Sequence, residues 1–200
     1  DKSAIEFWEV QLMSIKIISD SACDLPEEII KENDIEVVPF HVLFGDDDYL
    51  DRETIWPEEL YKKMRQGFMP KTSQVTPKQF VDVFTKHVKE GRQCLYIAFS
   101  SKMSGTCEAG ILAAQHVKST YPGSVIEVID TEGGALAQGL AVYAAAKMAQ
   151  EEKPINEIVE EKKNESEDLE DSINESIDVE VMESEDLETE DVIDSEVLKL

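Results

Sequence analysis

Three short apolar runs, Ile15–Ile18, Cys94–Phe99 and Val125–Ile129, each end in a hydroxyl-bearing turn and lead on to a helical pattern. Runs of this length bounded by turn residues read as buried strands. Strands separated by helices cannot pair through tight hairpins, so the chain must cross over between them. Right-handed βαβ crossovers then imply an α/β fold, a largely parallel sheet with helices on both faces.

The helices carry their own punctuation. Asp24-Leu25-Pro26-Glu27 reads as an acidic capping box, with Asp24 as N-cap of a helix that turns Ile29 and Ile30 inward. Pro57–Gln66 spaces Leu60, Tyr61 and Met64 at helical intervals and is closed by Gly67. Thr76-Pro77 opens a helix with Phe80, Val83, Phe84, His87 and Val88 on one face, stopped by Gly91. Ser104–Thr120 and the alanine-rich Ala135–Gln150 complete the set. Glu36–Phe44 reads as one strand with Pro39 marking an edge or bulge, and Gly45–Asp51, with three consecutive aspartates, as a loop.

The charge is unevenly spread along this unit. The net charge is -25, yet residues 1–150 hold 23 Asp/Glu against 15 Lys/Arg, while residues 151–200 hold 21 against four lysines. The chain therefore divides into an extension over residues 1–12, a globular α/β unit over residues 13–150, and an acidic tail over residues 151–200. In the tail, Glu165-Ser166-Glu167-Asp168-Leu169-Glu170 recurs as Glu183-Ser184-Glu185-Asp186-Leu187-Glu188, a composition expected to be disordered or weakly helical. Averaged over the chain, this acidity argues against nucleic acid and anionic membrane surfaces as partners. No basic start precedes an apolar core, and the weakly polar stretch Gly133–Ala146 is too short to span a bilayer, so a soluble, cytoplasmic protein without membrane insertion is expected. Cys23, Cys94 and Cys107 form no CxxC pair and read as reduced, buried thiols.

Four hydroxyl-rich segments punctuate the unit: Ser19-Asp20-Ser21, Thr72-Ser73-Gln74, Ser100 to Thr106, and Asp130-Thr131. In an open α/β sheet, turns after strands gather at the carboxyl edge, where ligands bind. Hydroxyls and free N–H groups at a helix start suit an anionic headgroup, and Gly105 lets the backbone approach it. Ser and Thr are also ordinary caps, so it is the four together that point to a small anionic ligand. Enzyme patterns are missing. Ser104 lacks the glycine two positions earlier that GxSxG requires, and neither a Walker loop nor GxGxxG occurs. His41, His87 and His116 lie within a strand and helices and read as structural or surface residues. Asp20, Asp24 and Asp46–Asp48 are better used as caps and a solvated loop than as metal ligands, so neither metal nor cofactor is expected.

Ile17-Ile18-Ser19-Asp20-Ser21-Ala22-Cys23-Asp24-Leu25-Pro26 resembles the opening of the DegV family. Thr72-Ser73-Gln74-Val75-Thr76-Pro77 is similar to its second signature, and Ser100-Ser101-Lys102-Met103-Ser104-Gly105-Thr106 to its third, with Met103 where Leu is usual. Val128-Ile129-Asp130-Thr131 and Ala135-Leu136-Ala137-Gln138-Gly139 resemble its fourth. The resemblance implies a non-catalytic binding protein that holds a long-chain fatty acid in an apolar tunnel between two domains. In some members the carboxylate is presented to a fatty-acid kinase. It further implies that Thr72 and Ser104 hydrogen-bond the carboxylate, with Ser73 and Gly105 beside them and Ser19, Asp20 and Ser21 supporting the pocket. The family's second domain, with its Arg-Gly-Gly-Arg-type motif and late His, has no counterpart after Gln150, so fatty-acid binding by this chain alone is expected to be weak or absent. Two other functions are compatible with the residues: an interaction module whose acidic tail binds a basic partner, and a hydrolase or transferase using Ser104 or Ser100 as nucleophile.

Overall fold

The computed structural model describes residues 14–162 and 164, so the readings of residues 1–12 and of the acidic repeat lie outside the described residues. The central sheet has four parallel strands in the order β2-β1-β6-β7: β1 is Ile15–Asp20, β2 Glu36–Val38, β6 Gln93–Ala98 and β7 Ile126–Asp130. Every connection between these strands contains a helix, as the alternation of apolar runs and helical patterns demands. The helices are α1 (Glu27–Glu32), α3 (Pro77–Lys89), α4 (Thr106–Thr120) and α5 (Ala135–Gln150), with α2 (Pro57–Arg65) on a separate small sheet.

Side chains alternate along the strands and build two cores. Cys94, Tyr96 and Ala98 of β6 join Ile18, Phe80, Phe84, Cys107, Ala113 and Val117 beneath α3 and α4. Leu95 and Ile97 point the other way, to Ile17, Ile129, Val142 and Ala145 beneath α5. Gly110 is required in α4 because a Cβ there would lie 2.5 Å from the Tyr96 ring. Beyond α5 the chain forms a further short helix over 155–162, whose Ile158 is buried in the second core.

The stretch between β2 and α3 differs from the sequence expectation. Glu36–Phe44 is two strands, because Pro39 cannot donate to a ladder and the chain leaves the parallel sheet there. Its second half, β3 (His41–Phe44), pairs antiparallel with β4 (Asp47–Leu50) and β5 (Lys71–Ser73) in the order β4-β3-β5. The expected aspartate loop is therefore mostly strand β4. Gly45, at φ 63°, makes the hairpin turn, and an edge strand leaves Asp47 and Asp48 in water. Thr72 and Ser73, expected in a turn, lie in β5.

The cap at Asp24 is a second correction. A 3-10 turn, Ser21–Cys23, intervenes after β1, and Asp24 closes it in the left-handed region at φ 51°; Pro26 occupies the cap position of α1 without a side-chain bond. Thr76-Pro77 opens α3 as read, and Thr76 caps it reciprocally with Gln79. Gly67 and Gly91, at φ 92° and 75°, close α2 and α3.

Candidate functional site

The four hydroxyl-rich segments meet around the carboxyl edge of the parallel sheet, but in two layers. The inner layer is buried. At the end of β1 the Ser19 hydroxyl donates to the Ile97 carbonyl at 2.9 Å, and Ser21 Oγ accepts the Phe40 N–H at 3.1 Å. Asp20 lies between them with no exposed surface. Its carboxylate accepts from the Tyr96 hydroxyl (2.7 Å), the Phe99 N–H (3.0 Å), Gln138 Nε2 (3.1 Å) and the Ala22 N–H (3.2 Å). Burial nevertheless raises its pKa, outweighing the bonds from Phe99, Tyr96, Gln138 and Ala22 that lower it. These three residues hold loops in place and spend their polar atoms inside the protein.

The outer layer is where hydroxyls meet solvent. Thr72 and Ser73 are exposed on β5, opposite Val42 and His41 of β3. The segment after them is fastened to the start of α4 at two points. The Val75 N–H donates to Thr106 Oγ1 at 3.3 Å, and the Gln74 side chain lies where a Cβ on Gly105 would be, its Oε1 2.3 Å from that position. Ser104 is half-buried; its Oγ is 2.9 Å from Thr106 Oγ1 and accepts the Thr106 N–H at 3.2 Å. Gly105 is the N-cap of α4 and offers no capping side chain; Ser104 takes the Thr106 N–H in its place, and Glu108 lies in the first turn.

The loop carrying Ser104 is itself braced. Ser100 is buried, donates its N–H to the Gly133 carbonyl at 2.9 Å, and accepts the Ser104 N–H on its own carbonyl at 3.1 Å. Asp130 Oδ1 accepts the Ser101 N–H at 3.2 Å, and Thr131 Oγ1 donates to the Ala98 carbonyl at 2.8 Å. Residues from β1, β5, the start of α4 and the end of β7 are thus brought to one edge. Apolar side chains border them: Met103, Leu136 and Leu140 are each at least 60 % exposed, and Gly134 packs so closely on Phe99 that a Cβ would meet its ring at 2.3 Å.

Sequence reasoning left several members of this arrangement without a role. Gln138 entered only as a member of the fourth motif, with no role assigned. It is fully buried, donates to Ser19, Asp20 and the Ile97 carbonyl, and leaves Oε1 without a partner. Gln74 and Thr106 link the second and third motifs, and Tyr96 anchors Asp20 from within a strand read only as apolar.

Among the described residues, no imidazole is hydrogen-bonded to the Ser100 or Ser104 hydroxyl. Burial pushes the Cys94 and Cys107 thiols up to about 12, so neither is a thiolate at neutral pH. His41 faces Asp48 and Gln79, and His87 is buried between Glu36 and Glu90, so neither hydrogen-bonds Ser100 or Ser104. Among the described residues, no group of three or more His, Cys, Asp or Glu side chains is placed to hold a metal ion, and no helix is long and apolar enough to cross a membrane.

The family model described as "Uncharacterised protein, DegV family" matches residues 14–171. A DegV domain-containing protein of Clostridium perfringens is 40 % identical over 153 residues, covering 74 % of this chain and 53 % of the relative. One from Clostridium acetobutylicum is also 40 % identical, over 148 residues, with 74 % and 52 % covered. Among solved structures, a fatty-acid-binding DegV family protein of Thermus thermophilus superposes with a TM-score of 0.69 at 31 % identity, over 78 % of this chain and 54 % of the other. A stearic acid-binding protein of Eubacterium ventriosum gives a TM-score of 0.71 at 30 % identity, over 74 % and 52 %. The chain spans about half the length of the relatives it matches.

Proposed function

This chain belongs to the DegV family, and from that premise we propose that its α/β unit provides the carboxylate-holding half of a site for a long-chain fatty acid. The observation that carries the reading is the fastening of the Thr72 strand to the start of α4. Gln74 against Gly105, and Val75 bonded to Thr106, bring the strand with the exposed Thr72 hydroxyl to the helix start that carries Ser104. Two hydroxyls beside a helix N-terminus give an anion hydrogen-bond donors and a favourable dipole without a fixed cation. Ser73 and Gly105 flank them. Ser19, Asp20 and Ser21 act from beneath, through the loops that they hold.

The acyl chain then leaves the carboxylate across Met103, Leu136 and Leu140. Each buried CH₂ contributes roughly 0.8 kcal/mol, and only where apolar atoms enclose it. The remaining half of the relatives' length would supply the facing wall, and without such a wall an acyl chain is held weakly. The function is carriage without chemistry. The finer step is presentation of the held carboxylate to a kinase, which takes it as phosphoryl acceptor.

Native mass spectrometry of the chain titrated with oleate tests the reading. An adduct of one oleate, lost in a Thr72→Val/Ser104→Ala variant that keeps its circular dichroism, supports it. Adducts that survive the double change overturn the headgroup assignment, and no adduct at any oleate concentration overturns binding by this half.

A further inference from the structure

The outer face of α2 and the loop that follows it carry features the carboxylate site does not use. Residues 61–71 include Lys62, Lys63, Arg65 and Lys71 and no acidic residue, in a chain with 44 Asp and Glu. Elsewhere among the described residues the cations are engaged: Lys16 and Arg92 with Asp34, Lys86 with Glu36, Lys102 with Glu132, Lys153 with Glu157, Lys89 over Tyr121. Lys63 lies over the Phe44 and Tyr49 rings, 5.3 Å from each centroid. Among the described residues, Lys62, Arg65 and Lys71 meet neither an acidic group nor a ring. The same stretch exposes Tyr61 (54 %), Phe68 (55 %) and Met69 (81 %). Unpaired cations and exposed large apolar side chains coincide at this one place.

We propose that this face docks peripherally on an anionic lipid bilayer. Exposed aromatic and Met side chains gain by entering the boundary between headgroups and acyl chains, while the flanking cations meet lipid phosphates. A protein partner seats apolar side chains in shaped pockets and pairs cations at fixed points. Met69, with four fifths of its surface free, and three unpaired flexible cations fit a fluid, laterally uniform anionic surface better. Whole-chain acidity does not decide the matter, because charges further apart than about 8 Å are largely screened at physiological salt. Glu58 and Glu59, in the first turn of α2, are the closest acidic residues along the chain and, among the described residues, form no ion pair with Lys62, Lys63 or Arg65, while Asp46–Asp48 belongs to the β4 edge of the small sheet, with β3 between it and Lys71 on β5. The proposal does not rest on the fatty-acid reading, since bare vesicles free of fatty acid test it.

The full chain is sedimented with vesicles of phosphatidylcholine containing 40 mol % (about two lipids in five) phosphatidylglycerol, and with vesicles of phosphatidylcholine alone. Each cation near such a surface strengthens binding several-fold, so the three together are expected to give on the order of a hundred-fold preference for the anionic vesicles. Raising salt to about 0.5 M should release most of the bound chain. Lys62→Gln/Arg65→Gln/Lys71→Gln should bring binding on anionic vesicles down to the neutral-vesicle level. Met69→Ser, at a position with little to unfold, should weaken it several-fold at unchanged thermal midpoint. Equal sedimentation with both vesicles, or undiminished binding by both variants, overturns the proposal, as does capture by an acidic protein with no vesicle binding.

Discussion

The parallel body and the small antiparallel sheet are built to different standards. In the body, Phe80, Phe84, Tyr96, Leu95 and Ile97 are sealed from solvent, and helices cover both faces of the four-stranded sheet. The small sheet buries only Val42, Phe44 and Ile55, with Tyr49 and Leu60 half-covering them. From Trp56 to Gln74, Leu60, Lys63 and Pro70 are the only residues not exposed. One region spends its side chains on packing, and the other keeps them available. Thr72 sits in the second and Ser104 on the first, so the proposed site depends on a seam between a rigid part and a lightly held one.

The contrast breaks most visibly in the cores. Phe84→Ala empties a position stacked on Phe80 and tilted against Tyr96, and should cost about 4 kcal/mol in urea unfolding followed by circular dichroism. Phe44→Ala should instead lower the unfolding free energy by about 1–2 kcal/mol, because its neighbours are already partly wet. Its main mark should be faster amide exchange confined to residues 41–50 and 71–73. Equal costs for the two changes would mean that body and small sheet unfold as one unit and that the distinction is empty.

Next in size is Asp20→Ala, which removes the acceptor of the Tyr96 hydroxyl, the Phe99 N–H and Gln138 Nε2 at once. Buried donors left unpaired cost about 1–3 kcal/mol each before relaxation, so a net loss near 3 kcal/mol is expected in the same unfolding measurement. Asp20→Asn keeps an acceptor and removes a charge that burial disfavours, and should cost far less. If both changes cost the same, the hydrogen-bond geometry is not what makes Asp20 matter.

On β2, the strand beside β1, Glu36 is held at about 2, first by its bond to His87 and further by Lys86. A carboxylate lowered on folding stabilises fully above its unfolded pKa near 4.5 and loses that contribution as pH falls through 2. The chain should therefore lose on the order of 2 kcal/mol between pH 5 and pH 2 from this group, and Glu36→Gln should flatten that part of the profile. Unchanged slope in the variant would assign the acid sensitivity elsewhere, with Asp34 next in line because Lys16 and Arg92 lower it too.

The same contrast governs how much could be read from residues alone. The body was legible because continuous apolar runs and helix spacing leave strong marks, and Thr76, Gly67 and Gly91 mark helix ends by local physics. The small sheet was not, because β4 opens with two aspartates poor in strand propensity that an edge position tolerates, and Pro39 marked a break without saying where the chain would go. Asp24 misled because a residue suited to capping is also suited to the left-handed region. In the site, the meeting of hydroxyl-rich segments was legible, but the direction of their side chains was not. Ser19 and Ser21 share a composition with Ser73 yet bond inward. Gln74 and Gln138, neutral and without a characteristic spacing, gave no signal of the contacts that tie the site together.

The seam itself gives the smallest effect on stability and the sharpest on binding. Gly105 has an ordinary helical-region φ of −73°, so alanine is not strained there. Its Cβ would meet only the end of the flexible Gln74 side chain, which can swing away. Gly105→Ala should therefore change unfolding free energy by less than about 0.5 kcal/mol. Displacing Gln74 loosens the hold of β5 on α4, so amide exchange at residues 72–75 should rise and oleate affinity should fall several-fold with no change in the body. An affinity that falls only in step with stability would mean that Thr72 and Ser104 do not act as one site, and the proposed carboxylate cradle would lose the strand that forms its outer side.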